Sequence, residues 1–222
     1  MTTALRIDFV SDVACPWCAV GLHALDEALR RLGDAVPVEL HFQPFELNPQ
    51  MPAEGEDVTE HLARKYRINA AQIAQNQAAI RERGAAVGFT FGQRTRIWNT
   101  FDAHRLMHWA GLQEEAHGGD HQNRLKHALL QSYHGLGENP GERSVLLRLA
   151  SEVGLDPAQA GEVLDSGAFA DEVRATEHEW QQLGISSVPS VVVNGRHLIQ
   201  GGQPPEVFEQ ALRQIAGELQ AG

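Results

Sequence analysis

The stretch LRIDFVSDVACPWC, residues 5–18, decides the fold that we predict for this chain. Its first half alternates apolar with polar residues, and this period of two is typical of a β-strand. From Cys15 the pattern becomes helical, with an apolar stripe that ends near Gly33. The stretch therefore predicts a strand that leads directly into a helix, with a pair of cysteines at the start of that helix.

The two ends of the chain complete this pattern. A second alternating stretch at residues 38–42 follows the helix, and two parallel strands joined by one helix form a right-handed βαβ unit. Near the C-terminus, Asn194-Gly195 separates two β-branched runs, which is a strong signal for a β-hairpin. A last amphipathic helix opens at Pro204-Pro205. The order βαβ…ββα predicts an α/β protein with a thioredoxin-like fold and a central mixed sheet.

The middle of the chain interrupts this fold. Residues 53–184 show several amphipathic helical stripes and no strand pattern. No regular period in this block indicates a solenoid. We therefore predict a large all-helical insertion domain at residues 53–184, placed within a discontinuous thioredoxin-like domain that is made of residues 1–52 and 185–222.

The composition excludes several classes of protein. The 222 residues, of which 42% are hydrophobic, are enough to bury a core without disulfide bonds. Two cysteines are too few for a disulfide scaffold or for a four-thiolate zinc site. A net charge of −11 repels phosphate groups, so we expect neither nucleic acid nor a membrane as a partner. Because the sequence shows neither a secretory signal nor a membrane-spanning stretch, we expect a cytoplasmic protein.

The motif Cys15-Pro16-Trp17-Cys18 lies where the predicted strand ends and the helix begins. Unpaired N–H groups and the helix dipole stabilise a thiolate at the first cysteine. Pro16 suits the first turn because it has no N–H group to leave unpaired. Since Cys18 lies one turn deeper, we predict that Cys15 is an exposed nucleophile and that Cys18 is a buried resolving thiol.

Two other interpretations of the cysteine pair stay open at this point. The pair is half of a zinc site if histidines such as His104 and His108 complete it, or it is two inert thiols at a helix start. His117 and His121 have the same spacing, but Gly118-Gly119 predicts that the helix ends between them. Because two histidines supply only half of a closed zinc site and the strand–CxxC–helix order favours redox chemistry, we predict a redox pair and no metal.

Several short segments give the chain a resemblance to a known family. CPWC after a strand at residues 15–18, SVPS at 187–190 and VNGRHLIQGGQ at 193–203 resemble the DsbA family of disulfide oxidoreductases. SDVA at 11–14, PFELNP at 44–49 and NTFDAHR at 99–105 resemble the FrnE-like cytosolic branch of that family. The resemblance covers nearly the whole chain and implies a thioredoxin fold with an inserted helical domain.

The resemblance implies thiol–disulfide exchange. The Cys15 thiolate would attack a substrate disulfide and Cys18 would resolve the mixed disulfide, or the reverse sequence would oxidise a dithiol. Pro189 would be cis and face the motif, so that the backbone of Val188 pairs with an extended substrate. The implied partners are proteins or small molecules with a disulfide or a dithiol, with no cofactor beyond the Cys15–Cys18 disulfide and with glutathione as a candidate co-substrate. We expect a monomer or a homodimer.

Two rival functions are also open, one for enzymes with the same fold and one for a chaperone that binds through apolar surface. Kappa-class glutathione transferases and related glutathione-dependent isomerases also resemble this chain, but they have a serine where Cys15 stands. A non-catalytic holdase chaperone would instead use apolar surface between the two domains. The complete CxxC motif favours the oxidoreductase over both.

Residues around the motif carry further expectations. Thioredoxin-like enzymes often keep a buried acid in the strand before the motif, and Asp8 is our candidate for such a proton relay, although its spacing is one residue longer than usual. Glu46 is a second candidate acid. Trp17 stands where strongly oxidising relatives have a histidine, which implies a less depressed pKa of Cys15 and a more reducing couple than theirs.

Overall fold

The computed structural model describes residues 4–221. A 3₁₀ turn at Gly33–Ala35 follows the helix that ends at Leu32, and a π-helical turn at Gln131–Gly135 continues the helix that ends at Leu130. In chain order the strands and helices are β1 (Leu5–Ser11), α1 (Pro16–Leu32), β2 (Val38–Pro44), β3 (Glu56–Asp57), α2 (Val58–Tyr66), α3 (Ala70–Ala86), β4 (Arg96–Ile97), α4 (Phe101–His117), α5 (His121–Leu130), α6 (Arg143–Glu152), α7 (Pro157–Ser166), α8 (Ala170–Gln182), β5 (Ser190–Val193), β6 (His197–Gln200) and α9 (Pro205–Ala221).

The two ends of the chain form one mixed sheet, as predicted. Its strand order is β2-β1-β5-β6, with β1 parallel to β2 and antiparallel to β5. β1 is central because all of its side chains except that of Arg6 are buried, and Ile7 and Phe9 have no exposed surface. The β5–β6 connection turns at Asn194 and Gly195, which both have positive φ, as a tight hairpin requires. The thioredoxin-like βαβ…ββα fold is therefore confirmed.

The inserted block is mostly helical but is not all-helical. β3 and β4 form a separate antiparallel ladder in which Glu56 pairs with Ile97 and Asp57 with Arg96. The sequence prediction missed this ladder because strands of two residues are too short to show a period. α4 ends at His117 and α5 begins at His121, which confirms the predicted break between them. None of the helices in residues 4–221 is both long and apolar enough to cross a bilayer.

One large buried apolar cluster connects the sheet with the inserted helices. Phe9 of β1 and Leu25 of α1 belong to the same buried cluster as Leu106 of α4 and Leu125 of α5. Burial of such side chains contributes about 1.5–3 kcal/mol each. The insertion is therefore fixed against the helix that carries both cysteines, and its loops reach the motif itself.

Candidate active site

The CxxC motif occupies the first turn of α1. Cys15 is the N-cap residue, with the extended backbone angles φ −87° and ψ 114°, and Pro16 is the first helical residue. The N–H of Cys18 donates a hydrogen bond to the carbonyl oxygen of Cys15 at 3.0 Å. Both cysteines are free thiols. The helix N-terminus therefore lies at the Cys15 sulfur, where it favours a thiolate.

The exposure of Cys15 differs from the sequence prediction. Cys18 is fully buried, as predicted, but Cys15 is only 4% exposed and is not an open nucleophile. The cause is the insertion, because α2 and α3 form a wall opposite Cys15 around a shared cavity. The open space next to Cys15 is therefore this cavity rather than an open surface.

The cavity at Cys15 is large and mainly apolar. Its volume is about 500 Å³, and Leu62, Ile73, Ile80 and Ile97 supply much of its wall. Pro16 and Trp17 of the motif border it, and Lys65, Tyr66 and Arg94 add polar atoms. A space of this size and lining suits an apolar side chain or a small molecule.

Val188 and Pro189 face the motif from the other side. The Val188–Pro189 peptide bond is cis, as the family resemblance implied. The Cys15 thiol donates a hydrogen bond to the carbonyl oxygen of Val188 at 3.5 Å. Pro189 packs against α1 at Gly21, where an added Cβ would lie 2.8 Å from Cγ of Pro189 and 3.4 Å from Cα of Gly202. The absence of a side chain at Gly21 therefore sets how closely the Val188–Pro189 loop approaches the cysteines.

We expect Gly21→Ala to destabilise the protein by about 1–3 kcal/mol, because overlap with the rigid Pro189 ring outweighs the better helix propensity of alanine. Gly217, near the C-terminal end of α9, is the matched control, since no atom beyond the neighbouring helix backbone lies within 4 Å of a Cβ built there. Gly217→Ala should stabilise the protein by up to about 1 kcal/mol. Urea unfolding of both variants measures the difference, and equal effects at the two positions would contradict the close packing at Gly21.

Asp12 is the buried acid of the site, and it organises the loop before the motif. The carboxylate is 1% exposed and accepts hydrogen bonds from the N–H of Ala14 at 2.9 Å, the N–H of Leu47 at 2.7 Å and the hydroxyl of Thr100 at 2.9 Å. The N–H of Cys15 donates to the carbonyl oxygen of Asp12 at 3.2 Å. Asp12 thereby ties the CxxC turn to the segment after β2 and to the start of α4.

Two side chains of the insertion, Arg94 and His134, hold the same loop from the other side. Arg94 donates to the carbonyl oxygen of Ala14 at 3.0 Å, and Nε2 of the buried His134 lies 2.8 Å from the carbonyl oxygen of Val13. Burial and the nearby Arg94 charge lower the pKa of His134 well below 6.5, so its ring is neutral at neutral pH and donates through Nε2. The carbonyl groups of Val13 and Ala14 thus accept their hydrogen bonds from side chains of the insertion.

The surroundings separate the pKa values of the two thiols. The Cys18 thiol, together with backbone N–H groups of the turn, lowers the pKa of Cys15 below 9.0, although burial and the Asp12 charge oppose this. Burial and the neighbouring Cys15 sulfur raise the pKa of Cys18 well above 9.0. Cys15 is therefore the thiol that ionises first, which fits the roles predicted for the pair.

The structure does not bring the predicted acids Asp8 and Glu46 to the thiols. Asp8 lies in the middle of β1, where it accepts hydrogen bonds from Arg6 at 3.0 and 3.1 Å and from Gln43 at 2.7 Å. Glu46 pairs with Arg174 of α8. These contacts give no support to a proton relay through Asp8, because Asp12, four residues later, is the acid beside the motif.

The two histidines considered as zinc ligands, His104 and His108, contact other side chains of the fold. His104 is 2% exposed, and its Nε2 lies 3.5 Å from Oδ1 of Asp12. The His108 ring packs against Phe169 with a centroid distance of 5.1 Å. Among residues 4–221, no group of three or more His, Cys, Asp or Glu side chains is arranged to hold a metal ion.

Known proteins share this architecture over almost the whole chain. Residues 6–213 match the DSBA-like thioredoxin domain family. A probable DsbA oxidoreductase from Streptomyces coelicolor is 34% identical, with a TM-score of 0.86 that covers 96% of this chain and 91% of the other. The uncharacterised protein YwbO of Bacillus subtilis is 28% identical over 94% of this chain and 96% of its own length. The cytosolic disulfide reductase DsbM from Pseudomonas aeruginosa, in its structure with GSH, shares the fold at 19% identity, with a TM-score of 0.61 over 94% of this chain and 98% of DsbM.

Proposed function

Because this chain belongs to the DSBA-like thioredoxin domain family, we propose that it is a thiol–disulfide oxidoreductase in which Cys15 is the nucleophile and Cys18 is the resolving thiol. The observation that carries the proposal is the pair of free thiols in one helical turn, with Cys15 at the helix N-terminus and in the wall of a cavity. The separated pKa values of the two thiols support the same division of roles.

The proposed reaction has two exchange steps. The Cys15 thiolate attacks one sulfur of a substrate disulfide, so that a Cys15–substrate disulfide forms and the other substrate sulfur leaves as a thiolate. Cys18 then loses its proton and attacks the Cys15 sulfur, which forms the Cys15–Cys18 disulfide and releases the second substrate thiolate. The substrate gains two electrons and the protein dithiol loses them. The reverse sequence oxidises a substrate dithiol.

The cavity indicates how a substrate binds. We propose that an apolar group next to the substrate disulfide enters the cavity at Cys15, while the backbone at Val188 contacts the extended part of the substrate. Both proteins and small molecules with a disulfide or a dithiol meet this requirement. We further propose a cytoplasmic location with glutathione as a candidate electron donor, since DsbM is a cytosolic reductase whose structure contains GSH.

The function is tested by reduction of insulin with the wild type and with Cys15→Ala. We expect the wild type to accelerate the reduction and Cys15→Ala to lose this activity entirely, because the alanine variant has no nucleophile at the helix N-terminus. Circular dichroism confirms that the variant is folded. Full activity in Cys15→Ala would overturn the proposal.

The two rival functions make different predictions for Cys15. A glutathione-dependent isomerase or transferase of the kappa-class type should act on electrophilic substrates with glutathione even as a Cys15→Ser variant. A holdase should suppress aggregation equally well as wild type and as Cys15→Ala. The same set of variants therefore separates all three functions.

A further inference from the structure

A buried lysine lies behind the active-site thiols. Lys126 on α5 is 1% exposed, and its side chain lines a cavity between β2, α4 and α5. A buried charge is costly unless charged or polar groups nearby compensate it. The groups around Lys126 therefore indicate which charges compensate its ammonium group.

The active-site thiols are among the groups that face Lys126. Charges on Cys18, Asp12 and Cys15 all raise the pKa of Lys126, while burial, the largest effect, lowers it. The Lys126 charge also acts on His134 in the π-helical turn. The other titratable groups that line the cavity at Lys126 are Arg6, Glu39, His41, His104, His108, Glu114, Glu115 and Asp120. Among the acids of residues 4–221, Asp12 is the one whose charge raises the pKa of Lys126, and it also holds the CxxC turn.

Contacts on both sides fix α5 relative to the cysteines. Nε2 of His127, next to Lys126, lies 3.0 Å from Oδ2 of Asp26 of α1. His134, at the end of the same helical segment, contacts Val13 just before the motif at 2.8 Å. Lys126 therefore lies on a helix that is attached both to the helix that carries Cys18 and to the loop that leads into it.

A second cavity opens at Lys126. It has a volume of about 580 Å³, lies between β2, α4 and α5, and is lined by Lys126 together with His41, Gln43 and His104. It shares no lining residue with the cavity at Cys15. The two cavities are therefore separate, one next to Cys15 and one next to Lys126.

We propose that Lys126 is a positioning residue for the resolving step, in which its ammonium charge stabilises the Cys18 thiolate and the proton released by Cys18 leaves through the cavity at Lys126. The proposal rests on the proposed function of the pair. In this step the Cys15–substrate disulfide breaks, the Cys15–Cys18 disulfide forms, and the substrate sulfur leaves as a thiolate. The lysine changes neither bond itself and acts only through Cys18.

The electrostatics agree with this geometry. Burial raises the pKa of Cys18 well above 9.0, and Lys126 is the neighbouring charge that lowers it. Without the ammonium charge, Cys18 would ionise still less at neutral pH. The first exchange step, which uses the thiolate of Cys15, does not depend on this charge to the same extent.

The test follows both steps in one reaction with dithiobis(nitrobenzoate), a chromogenic aromatic disulfide. The attack by Cys15 releases the first equivalent of coloured thiolate, and resolution by Cys18 releases the second. In Lys126→Met we expect the second release to slow about tenfold or more at neutral pH, with its pH profile shifted to higher pH by about one unit. The first release should change by less than about threefold.

Lys65, the other lysine of the chain, provides the matched control. It lines the cavity at Cys15, so Lys65→Met should alter the first release and spare the second. Lys126→Gln serves as a second variant if the methionine variant does not fold. Wild-type rates and pH profiles for the second release in the folded Lys126 variant would overturn the proposal.

The two proposals fail in different ways. The aromatic disulfide reacts with any accessible vicinal dithiol, so this readout stays available even if insulin is not reduced. Absence of insulin reduction by the wild type contradicts the proposed function, whereas an unchanged second release in the Lys126 variants contradicts only the role of Lys126. A purely structural role for Lys126 would slow both releases alike and leave both pH profiles unshifted.

Discussion

A Cys18→Ala variant is expected to stop at the mixed disulfide and to lose turnover by about two orders of magnitude or more. The chain contains two cysteines, so once Cys18 is removed no other thiol of the protein can attack the Cys15–substrate bond. Insulin reduction measures the loss of turnover. Mass spectrometry of the non-reduced protein should show one covalent adduct per chain, bound at Cys15.

Cys15→Ala is the control for this experiment, since it should show neither turnover nor an adduct. The opposite result is also informative. If Cys18→Ala keeps its turnover when glutathione is present, an external thiol resolves the intermediate and Cys18 does not have the resolving role. Such a result would favour a glutathione-linked, single-thiol mechanism.

The motif itself could be predicted from sequence because its signals are local. The alternation in β1, the CxxC spacing and the Asn194-Gly195 turn each depend on neighbouring residues, and all of them appear in the structure where they were expected. The family resemblance added the cis bond before Pro189, which no local pattern specifies.

The contacts that hold the motif in place could not be predicted in this way. Thr100, Arg94 and His134 reach the loop before the motif from 80 to 121 residues away in sequence. Hydrophobic periodicity carries no information about such pairs, since it reports only which face of an element is buried. The same limit explains why the sequence did not single out Asp12 rather than Asp8 as the acid beside the motif, because a buried acid in β1 and one just after it look alike in sequence.

The low exposure of Cys15 has a related cause. In a thioredoxin-like core without an insertion, the helix N-terminus that follows the first strand is exposed to solvent. The prediction of an exposed Cys15 assumed that situation. Here α2 and α3 cover it and leave a cavity of about 500 Å³. The amphipathic stripes predicted those helices but did not predict where they pack.

Neutralising Asp12 should have the largest effect on stability, and it also tests the electrostatics of the thiols. In Asp12→Asn, the three hydrogen-bond donors from Ala14, Leu47 and Thr100 meet an amide that accepts through one atom only, and Lys126 loses its nearby anion. We expect the free energy of unfolding to fall by about 2–4 kcal/mol. Because the Asp12 charge raises the pKa of Cys15, we also expect that pKa to fall in the variant.

The dependence of this effect on pH follows from the pKa of Asp12 in the folded protein. Burial alone would raise it, but His104 and the N–H groups of Ala14 and Leu47 hold it below its usual 3.8. The ionised carboxylate therefore contributes fully to the free energy of unfolding at a pH above 3.8, the usual pKa of aspartate. This contribution is lost as the pH falls through the lower pKa of Asp12 in the folded protein. The stability difference between wild type and Asp12→Asn should consequently be constant near neutral pH and narrow below about pH 4.

Asp8→Asn is the matched control, since it removes a second buried carboxylate from the same segment of chain. Its partners Arg6 and Gln43 lie away from the motif, so we expect a smaller loss of about 1–2 kcal/mol and no change in the pKa of Cys15. Urea unfolding across pH gives the stabilities, and thiolate absorbance gives the Cys15 ionisation. If Asp8→Asn and Asp12→Asn shift the Cys15 pKa equally, the Asp12 carboxylate does not govern ionisation at the motif, and the loop it holds serves packing alone.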